Sequence, residues 1–457
     1  MKTIAQIAAE LHGYDPQALT VDTAGAFLAQ LVAPVNGTER LPLTQALGRV
    51  LAEDVVSPID VPPHDNSAMD GYAFNGAVLT TGPTGQAITL CVAGRVLAGG
   101  QWSGAVGVGE CVRIMTGAVM PEGADTVVPQ EFTQTEGEHI RFAARAVRPG
   151  DHRRLRGEDV RAGYPTLLKG QRLTPAALGL VASLGLPDVQ VVRPLRVALF
   201  STGDELLNPG EAPRAGAVYD SNRYSLRGLL TQLGCEVIDL GMVKDQPAPL
   251  RAAFAHAAQN ADAIVTSGGV SMGDADHTRA LMAELGDVAF WRLAIRPGRP
   301  MAVGRIGRHA SNEQLQAKSA SNASALGASS YVIESNLNDF AMLFGLPGNP
   351  VAAMVSFVVF VRPALLRMMG AHAQPPVLLQ AASEEPLRKK PGRTEYQRGI
   401  VTQHADGRLT VRTTGQQGSG MLSSMVLANG LIVLGHDQGD VATGDAVQVM
   451  MLEGVMA

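Results

Sequence analysis

The feature that most constrains this chain is an alternation of strand-like and helix-like segments between residues 194 and 370. Apolar runs at 196–200, 236–240, 263–266, 288–295 and 341–344 alternate with helical spacing at 222–233, 247–259 and 277–285, and a last helix starts at Pro350. Strands spaced by such helices need crossover connections, which predicts a parallel sheet with helices on both faces, a doubly wound α/β domain. In such sheets ligands bind beyond the carboxyl ends of the strands.

The residues after each strand therefore matter most. They read Ser201-Thr202-Gly203-Asp204-Glu205, then Gly241 to Asp245, then SGGVSMGDAD at 267–276, then Ile295-Arg296-Pro297-Gly298-Arg299-Pro300, then Gly345-Leu346-Pro347-Gly348-Asn349-Pro350. Any one loop is an ordinary polar turn. Together they predict acidic groups from three loops and arginines from a fourth along one rim. Gly268, Gly269 and Ser271 sit where backbone N–H groups would approach an anion. Asn349 and Pro350 read as an N-cap and first-turn proline. Clustered carboxylates repel one another unless a cation sits among them, which points to Mg²⁺. Arginines grip oxyanions through paired hydrogen bonds. The chemistry favoured is the handling of a phosphate or another tetrahedral oxyanion.

Outside this region the texture differs. Residues 1–50 look helical, at Val21 to Val32 and again at Leu43 to Leu51. From 55 to 150 short β-rich runs are punctuated by glycines, and 151–190 is basic before turning helical at Thr174 to Leu184. The stretch SNEQLQAKSASNASALGASS, between Ile306 and Phe340, is poor in large apolar residues and reads as a surface insertion. After 375 short strands return, including Leu409 to Thr413 and Gly430 to Leu434. The expected division is 1–54 with 151–193 as a helical linking domain, 55–150 as an inserted β-rich domain, 194–375 as the α/β domain and 376–457 as a β-barrel-like domain. A chain of 457 residues is too long for one hydrophobic core.

Composition narrows the function classes. A net charge of -5 gives no reason to expect nucleic acid or a membrane surface as partner. Three scattered cysteines form neither a zinc motif nor a disulfide framework. The amino-terminal stretch lacks the uninterrupted apolar core of a signal peptide, and the apolar run Val351 to Val361 is too short to span a bilayer. The cytoplasm is the expected location. There is no GxxxxGK[ST], HExxH or GxGxxG motif.

Residues 64–72, HDNSAMDGY, hold two aspartates around small residues. Taken with RIMTGA (113–118), RRLRGEDV (153–160), STGDEL (201–206), YDSNR (219–223), SGGVSMGDAD and GLPGNPVAA (345–353), they form an ordered set. The set resembles the molybdenum insertase family, the molybdopterin molybdenumtransferases that include the terminal domain of gephyrin. The resemblance runs from about residue 20 to the C-terminus.

It implies a cytoplasmic enzyme that takes adenylylated molybdopterin and molybdate, releases AMP with Mg²⁺, and leaves molybdenum on the dithiolene. It implies a homodimer with its site between subunits, and a molybdopterin-binding role for the α/β domain. Asp70, Asp159, Glu205, Asp245 and Asp276 become the expected catalytic residues, with Glu205, Asp245 and Asp276 as metal ligands. Thr116, Gly268, Gly269, Ser271, Pro347, Pro350 and Arg292 are counted as substrate-binding, and Arg296, Arg299, Arg398 and Ser419 as molybdate-binding. Asp65 is read as serving its own turn, and Asp70, before a flexible Gly71, as delivered from a partner subunit. The family commonly has KPGKP where this chain has RPGRP, which keeps the charge but changes reach and geometry. Expected partners are the small-molecule substrates, a molybdopterin adenylyltransferase and acceptor molybdoenzymes. The alternatives are that the chain is itself an adenylyltransferase, or a scaffold of the same fold without catalysis.

Overall fold

The computed structural model describes residues 2–81, 86–270, 277–308, 339–372, 374–453 and 455–456. Their contacts divide the chain into two units: Met1–Glu39, Gly48–Val50 and Val191–Ala457 in one, and Arg40–Leu47 with Leu51–Gln190 in the other.

The larger unit is built on a six-stranded sheet in the order Glu236–Val243, Arg196–Thr202, Ala263–Ser267, Phe340–Leu346, Pro300–Gly307, Gly286–Arg292. The first four strands are parallel. Arg196–Thr202 is buried from Val197 onward, and its side chains alternate between two cores. Val197 and Leu199 pack with Phe27, Leu230 and Val355 on one face. Ala198 and Phe200 pack with Phe254 and Met282 on the other, from helices Pro247–Asn260 and His277–Leu285. That alternation is the period of two expected of a strand covered on both sides. Phe200 meets Phe254 edge-on at 5.2 Å, and burying each ring stabilises the fold by roughly 1.5–3 kcal/mol.

Pro300–Gly307 corrects the expectation of a wholly parallel sheet, because it runs antiparallel to both neighbours. The segment PMAVGRIG has no strand signal of its own, since a proline opens it and glycines interrupt it. Gly304 is what lets it fit: a Cβ there would lie 2.3 Å from the Asp287 carbonyl oxygen. The expected strand 288–295 is likewise two elements, Gly286–Arg292 and the short Ile295–Arg296.

The last helix runs further than its apolar core suggests. Pro350–Ser356 continues through a π-helical stretch, Phe357–Val361, into Arg362–Met368. Pro363 lacks an N–H and crowds the preceding turn, which the wider π turn accommodates. The 19 residues Pro350–Met368, of mean hydropathy 1.8, are long and apolar enough to cross a membrane by length and composition alone. Val351, Val355, Phe357, Phe360 and Leu365 are instead buried in the protein core.

The amino-terminal helices complete this unit. Ile4–Glu10 starts at a capping box of Thr3 and Gln6, and Val21–Leu31 starts at Thr20, whose hydroxyl accepts from Thr23 N. Phe27 stacks on Tyr14 and meets Trp291 edge-on at 5.0 Å. Arg305 donates to the Lys2 and Leu31 carbonyls. The helix expected over 43–51 is only a 3-10 turn, Leu43–Gln45, because Pro42 precedes it and Gly48 takes φ +75°.

The carboxyl-terminal strands close on themselves. Thr394–Gln403 pairs with both Leu409–Thr413 and Gly430–Leu434, Gly430–Leu434 with Ala446–Met451, Ala446–Met451 with Leu378–Ser383, and Leu378–Ser383 with Leu409–Thr413. The result is a five-stranded barrel around Val411, Ile432, Val447 and Val449. Ile295–Arg296 pairs with Thr394–Glu395 and ties the RPGRP turn to the barrel.

In the smaller unit a second six-stranded sheet has the order Thr126–Pro129, Gly71–Phe74, Glu110–Ile114, Ala87–Val96, His139–Ala143, Gln134–Glu136. Asn66–Ser67 pairs separately with Arg153–Arg154. Helix Pro175–Ser183 is capped by Thr174, whose hydroxyl accepts from Ala177 N.

Candidate active site

Four parallel strands end at one edge of the larger sheet, and so does Gly286–Arg292, because two antiparallel steps restore its direction. The predicted rim is real in that sense. Asp204 and Asp245 meet there, Asp245 N donating to Asp204 Oδ1 at 3.4 Å. Glu205 folds over Gly203, where a Cβ would lie 2.5 Å from its Oε2. Asp204 and Glu205 are exposed and Asp245 is half-buried. No ion pair joins any of the three among the described residues. Asp276 and Ser271, expected beside them, lie outside the described residues. Among those described, no group of three His, Cys, Asp or Glu is set to hold a metal ion.

The glycine turn that follows Ala263–Ser267 is held from both sides. A Cβ on Gly268, which has φ +90°, would lie 2.2 Å from the Thr202 carbonyl oxygen. Only glycine permits that approach. Asn222 Nδ2 donates to Ser267 Oγ at 2.6 Å and to the Gly348 carbonyl at 2.7 Å, so one side chain ties the glycine turn to the Pro347–Pro350 loop. Asn349 occupies the N-cap position, but its side chain makes no capping bond. Behind the rim, Asp220 accepts from Ser201 Oγ and from Arg223 N and Nε, and Arg223 Nη1 reaches Asp239 at 2.9 Å. This buried network accounts for the polar run YDSNR at the start of a helix, a signal visible in the sequence without any role for Asn222 being apparent.

The expected oxyanion residues divide. Arg398 is 1% exposed. Its Nε donates to Ser424 Oγ, its Nη2 to the Gly418 carbonyl, and its backbone N to Gln417 Oε1. It has no carboxylate partner among the described residues. Burial, and after it the charge of Arg296, pushes its guanidinium down to about 10. Glu395, fully buried, takes its close bonds from Arg393 at 2.8 Å and leaves Arg296 at 3.6 Å, half-exposed. Ser419 stands on the loop beside Gly418, and its carbonyl accepts from Val351 N at 3.1 Å. Arg299 is exposed, with its carbonyl accepting from Leu293 N. Arg292 closes the edge strand, where its backbone bonds Pro16 and Leu19. No contact joins Arg292 to the acidic residues among those described.

Within the smaller unit the structure separates the two aspartates of HDNSAMDGY. Asp70 Oδ1 accepts from both Thr116 N and Thr116 Oγ1, each at 2.7 Å. The backbone N–H first, and then the hydroxyl, holds the Asp70 carboxyl below the usual carboxylate range. Asp65 does not bond its own turn as expected. It accepts from Arg156 N at 2.8 Å and pairs with Arg153 at 3.1 Å, because Asn66–Ser67 lies against Arg153–Arg154. Gly71 is not there for flexibility. It allows close strand contact, since a Cβ would lie 2.1 Å from the Val128 carbonyl oxygen. Asp159 is exposed on the loop after Arg154, with its backbone N bonded to the Val61 carbonyl.

A groove of about 500 Å³ lined by Leu28, Val32, Phe360 and Ala364 also opens in the larger unit. It carries no carboxylate and lies near the carboxyl end of the last helix, away from Pro350.

Comparison with known proteins places this chain among relatives along nearly its whole length. Residues 19–185 match the MoeA N-terminal region (domain I and II), 198–367 the family described as "Probable molybdopterin binding domain", and 380–452 the MoeA C-terminal region (domain IV). The chain is 39% identical over 434 residues to a molybdopterin molybdenumtransferase of Haemophilus influenzae, covering 94% of this chain and 98% of that one. It is 34% identical over 448 residues to one of Nostoc sp., covering 97% and 95%. Among solved structures it is similar to a molybdopterin biosynthesis moeA protein of Pyrococcus horikoshii, with TM-score 0.74 and 26% identity over 95% of this chain and 100% of that one.

Proposed function

The chain belongs to the molybdopterin molybdenumtransferase family and is an enzyme of molybdenum cofactor biosynthesis, and we propose that it transfers molybdenum from molybdate to adenylylated molybdopterin with release of AMP. The observation that carries this reading is Arg398, a buried guanidinium with no carboxylate partner among the described residues and Arg296 as its neighbouring charge. An uncompensated buried cation is costly unless an anion completes it. A tetrahedral dianion fits the hydrogen-bonding fork of Arg398 with Arg296, Arg299 and Ser419 around it.

The carboxylates suit the other substrate. Glu205 and Asp245 offer hard oxygen donors with no paired cation among the described residues. That matches Mg²⁺, which takes one or two carboxylates, waters and substrate phosphates and is not held in a full protein cage. Glu205 and Asp245, with Asp276, would hold it. When bound it would neutralise charge developing on the phosphate as AMP leaves. Gly268 and Gly269 present backbone to the phosphate, and Pro347 and Pro350 shape the pocket wall, with Arg292 as a more distant cation. Asp70, Thr116 and Asp159 are delivered from the second subunit of a homodimer, working in the cytoplasm. An adenylyltransferase upstream and acceptor molybdoenzymes downstream are the partners. The four-part domain division given above is part of this proposal, with the amino-terminal helices docked on the α/β part.

The test is AMP release from adenylylated molybdopterin by the full-length protein with Mg²⁺, with and without molybdate. Release that depends on molybdate is expected. Consumption of ATP with free molybdopterin would mark an adenylyltransferase instead, and no turnover with the authentic substrate would mark a scaffold.

A further inference from the structure

We infer that Thr278 is a positioning residue for the transfer reaction, holding the Asp245 carboxylate and backing the glycine turn at the same time. The inference rests on the proposed role of Asp245 at the chemistry.

Thr278 is fully buried at the start of helix His277–Leu285. Its Oγ1 donates to Asp245 Oδ1 at 2.9 Å. Its other side faces Gly269, which has φ +66°. A Cβ on Gly269 would lie 2.6 Å from Thr278 Cγ2 and 2.7 Å from both Cβ and Oγ1. One β-branched side chain therefore touches two loops of the rim, one from the end of Glu236–Val243 and one from the end of Ala263–Ser267. Threonine suits this place because it supplies a donor and a methyl wall on a stiff χ1.

The physical need is plain. Asp245 shares its rim with Asp204 and Glu205, and like charges push a freely rotating carboxylate outward. The Thr278 hydroxyl fixes Oδ1, while Oδ2 carries no hydrogen bond among the described residues. The carboxylate is thus oriented before substrate arrives, and that orientation is what a reacting site loses when a supporting group is removed.

The experiment compares full-length Thr278→Val and Thr278→Ser with the unaltered protein. Valine keeps the shape and removes the donor, and serine keeps the donor. For Thr278→Val, kcat is expected to fall about tenfold with KM for adenylylated molybdopterin within about twofold, the size expected for one hydrogen bond to a charged group. Mn²⁺ binding to the AMP-bound protein, followed by calorimetry, is expected to weaken by about tenfold. Thr278→Ser is expected to restore both to within about threefold. An unchanged kcat and Mn²⁺ affinity in Thr278→Val would overturn the inference. So would equal losses in both variants accompanied by a lower melting temperature, which would make Thr278 a packing residue only. Asp245→Ala separates the two readings. If it abolishes turnover and Thr278→Val leaves kcat and Mn²⁺ affinity unchanged, the Thr278 inference alone fails. If Asp245→Ala turns over normally, the role of Asp245 fails and the inference with it.

Discussion

One oxygen of Asp70 accepts two hydrogen bonds from Thr116, from the backbone N and from the hydroxyl, both at 2.7 Å. The pair bridges the ends of two neighbouring strands: Asp70 precedes Gly71–Phe74, and Thr116 follows Glu110–Ile114, its antiparallel neighbour. The carboxylate is oriented by a strand partner and does not simply ride on a turn.

Removing the hydroxyl with Thr116→Val should raise the Asp70 pKa toward the ordinary range without restoring it fully, because the backbone N–H is the larger cause. A carboxyl carbon NMR titration reads this directly. The sign is that of a depressed acid: the contribution to stability is present above the unfolded pKa and lost as pH falls through the folded one. Asp70→Ala should strongly reduce molybdate-dependent AMP release, and full retention would contradict the proposed role.

Arg398 is expected to trade stability for binding. Arg398→Met removes a buried charge and keeps much of the volume, so the unfolding midpoint should not fall, whereas molybdate affinity should drop about a hundredfold. Calorimetry and thermal melting measure the two. Because the guanidinium is pushed down to about 10, molybdate affinity of the unaltered protein should be lost as pH rises through that value.

Asn222 joins two loops through one amide. Asn222→Ala should cost about 2–3 kcal/mol in urea unfolding, the sum of two buried hydrogen bonds. Asn222→Asp should do no better, because a carboxylate cannot donate to the Gly348 carbonyl.

Asp262 is buried and receives two bonds from Arg193, at 2.7 and 2.9 Å, and one from Arg196 N. Burial alone would raise its pKa, but Arg193 and the Arg196 N–H hold it below the usual range. Its stabilising effect should therefore be complete above the unfolded pKa and disappear as pH falls through the lower folded value. Asp262→Asn should cost about 3–5 kcal/mol at neutral pH by leaving Arg193 uncompensated. Urea unfolding across acid pH, compared between the two proteins, reads both effects.

Much of the α/β part was legible in local pattern. Helix Asn222–Leu233 has the bounds its apolar spacing predicts, and Pro247–Asn260 differs from prediction by one residue. The rim follows from strand direction alone, so Glu205, Asp245, Gly268 and Pro347 could be placed at one edge before any contact was known. Pro300–Gly307 could not be read this way, because its strand character comes from its neighbours. Nor could Thr278, one polar residue at a helix start with no spacing to mark it.

The sequence by itself determined the elements whose burial repeats along the chain, and it determined the residue types at strand ends, because both depend on near neighbours. The tertiary structure alone decided which groups meet. Asp65 turns to Arg153 and Arg156 while Asp70 turns to Thr116, and Arg398 in the barrel comes within reach of Arg296 on the turn that pairs with it. These pairings join residues tens to a hundred positions apart. Hydrogen bonds and charges act over a few ångströms, so their partners exist only once the strands have been laid side by side.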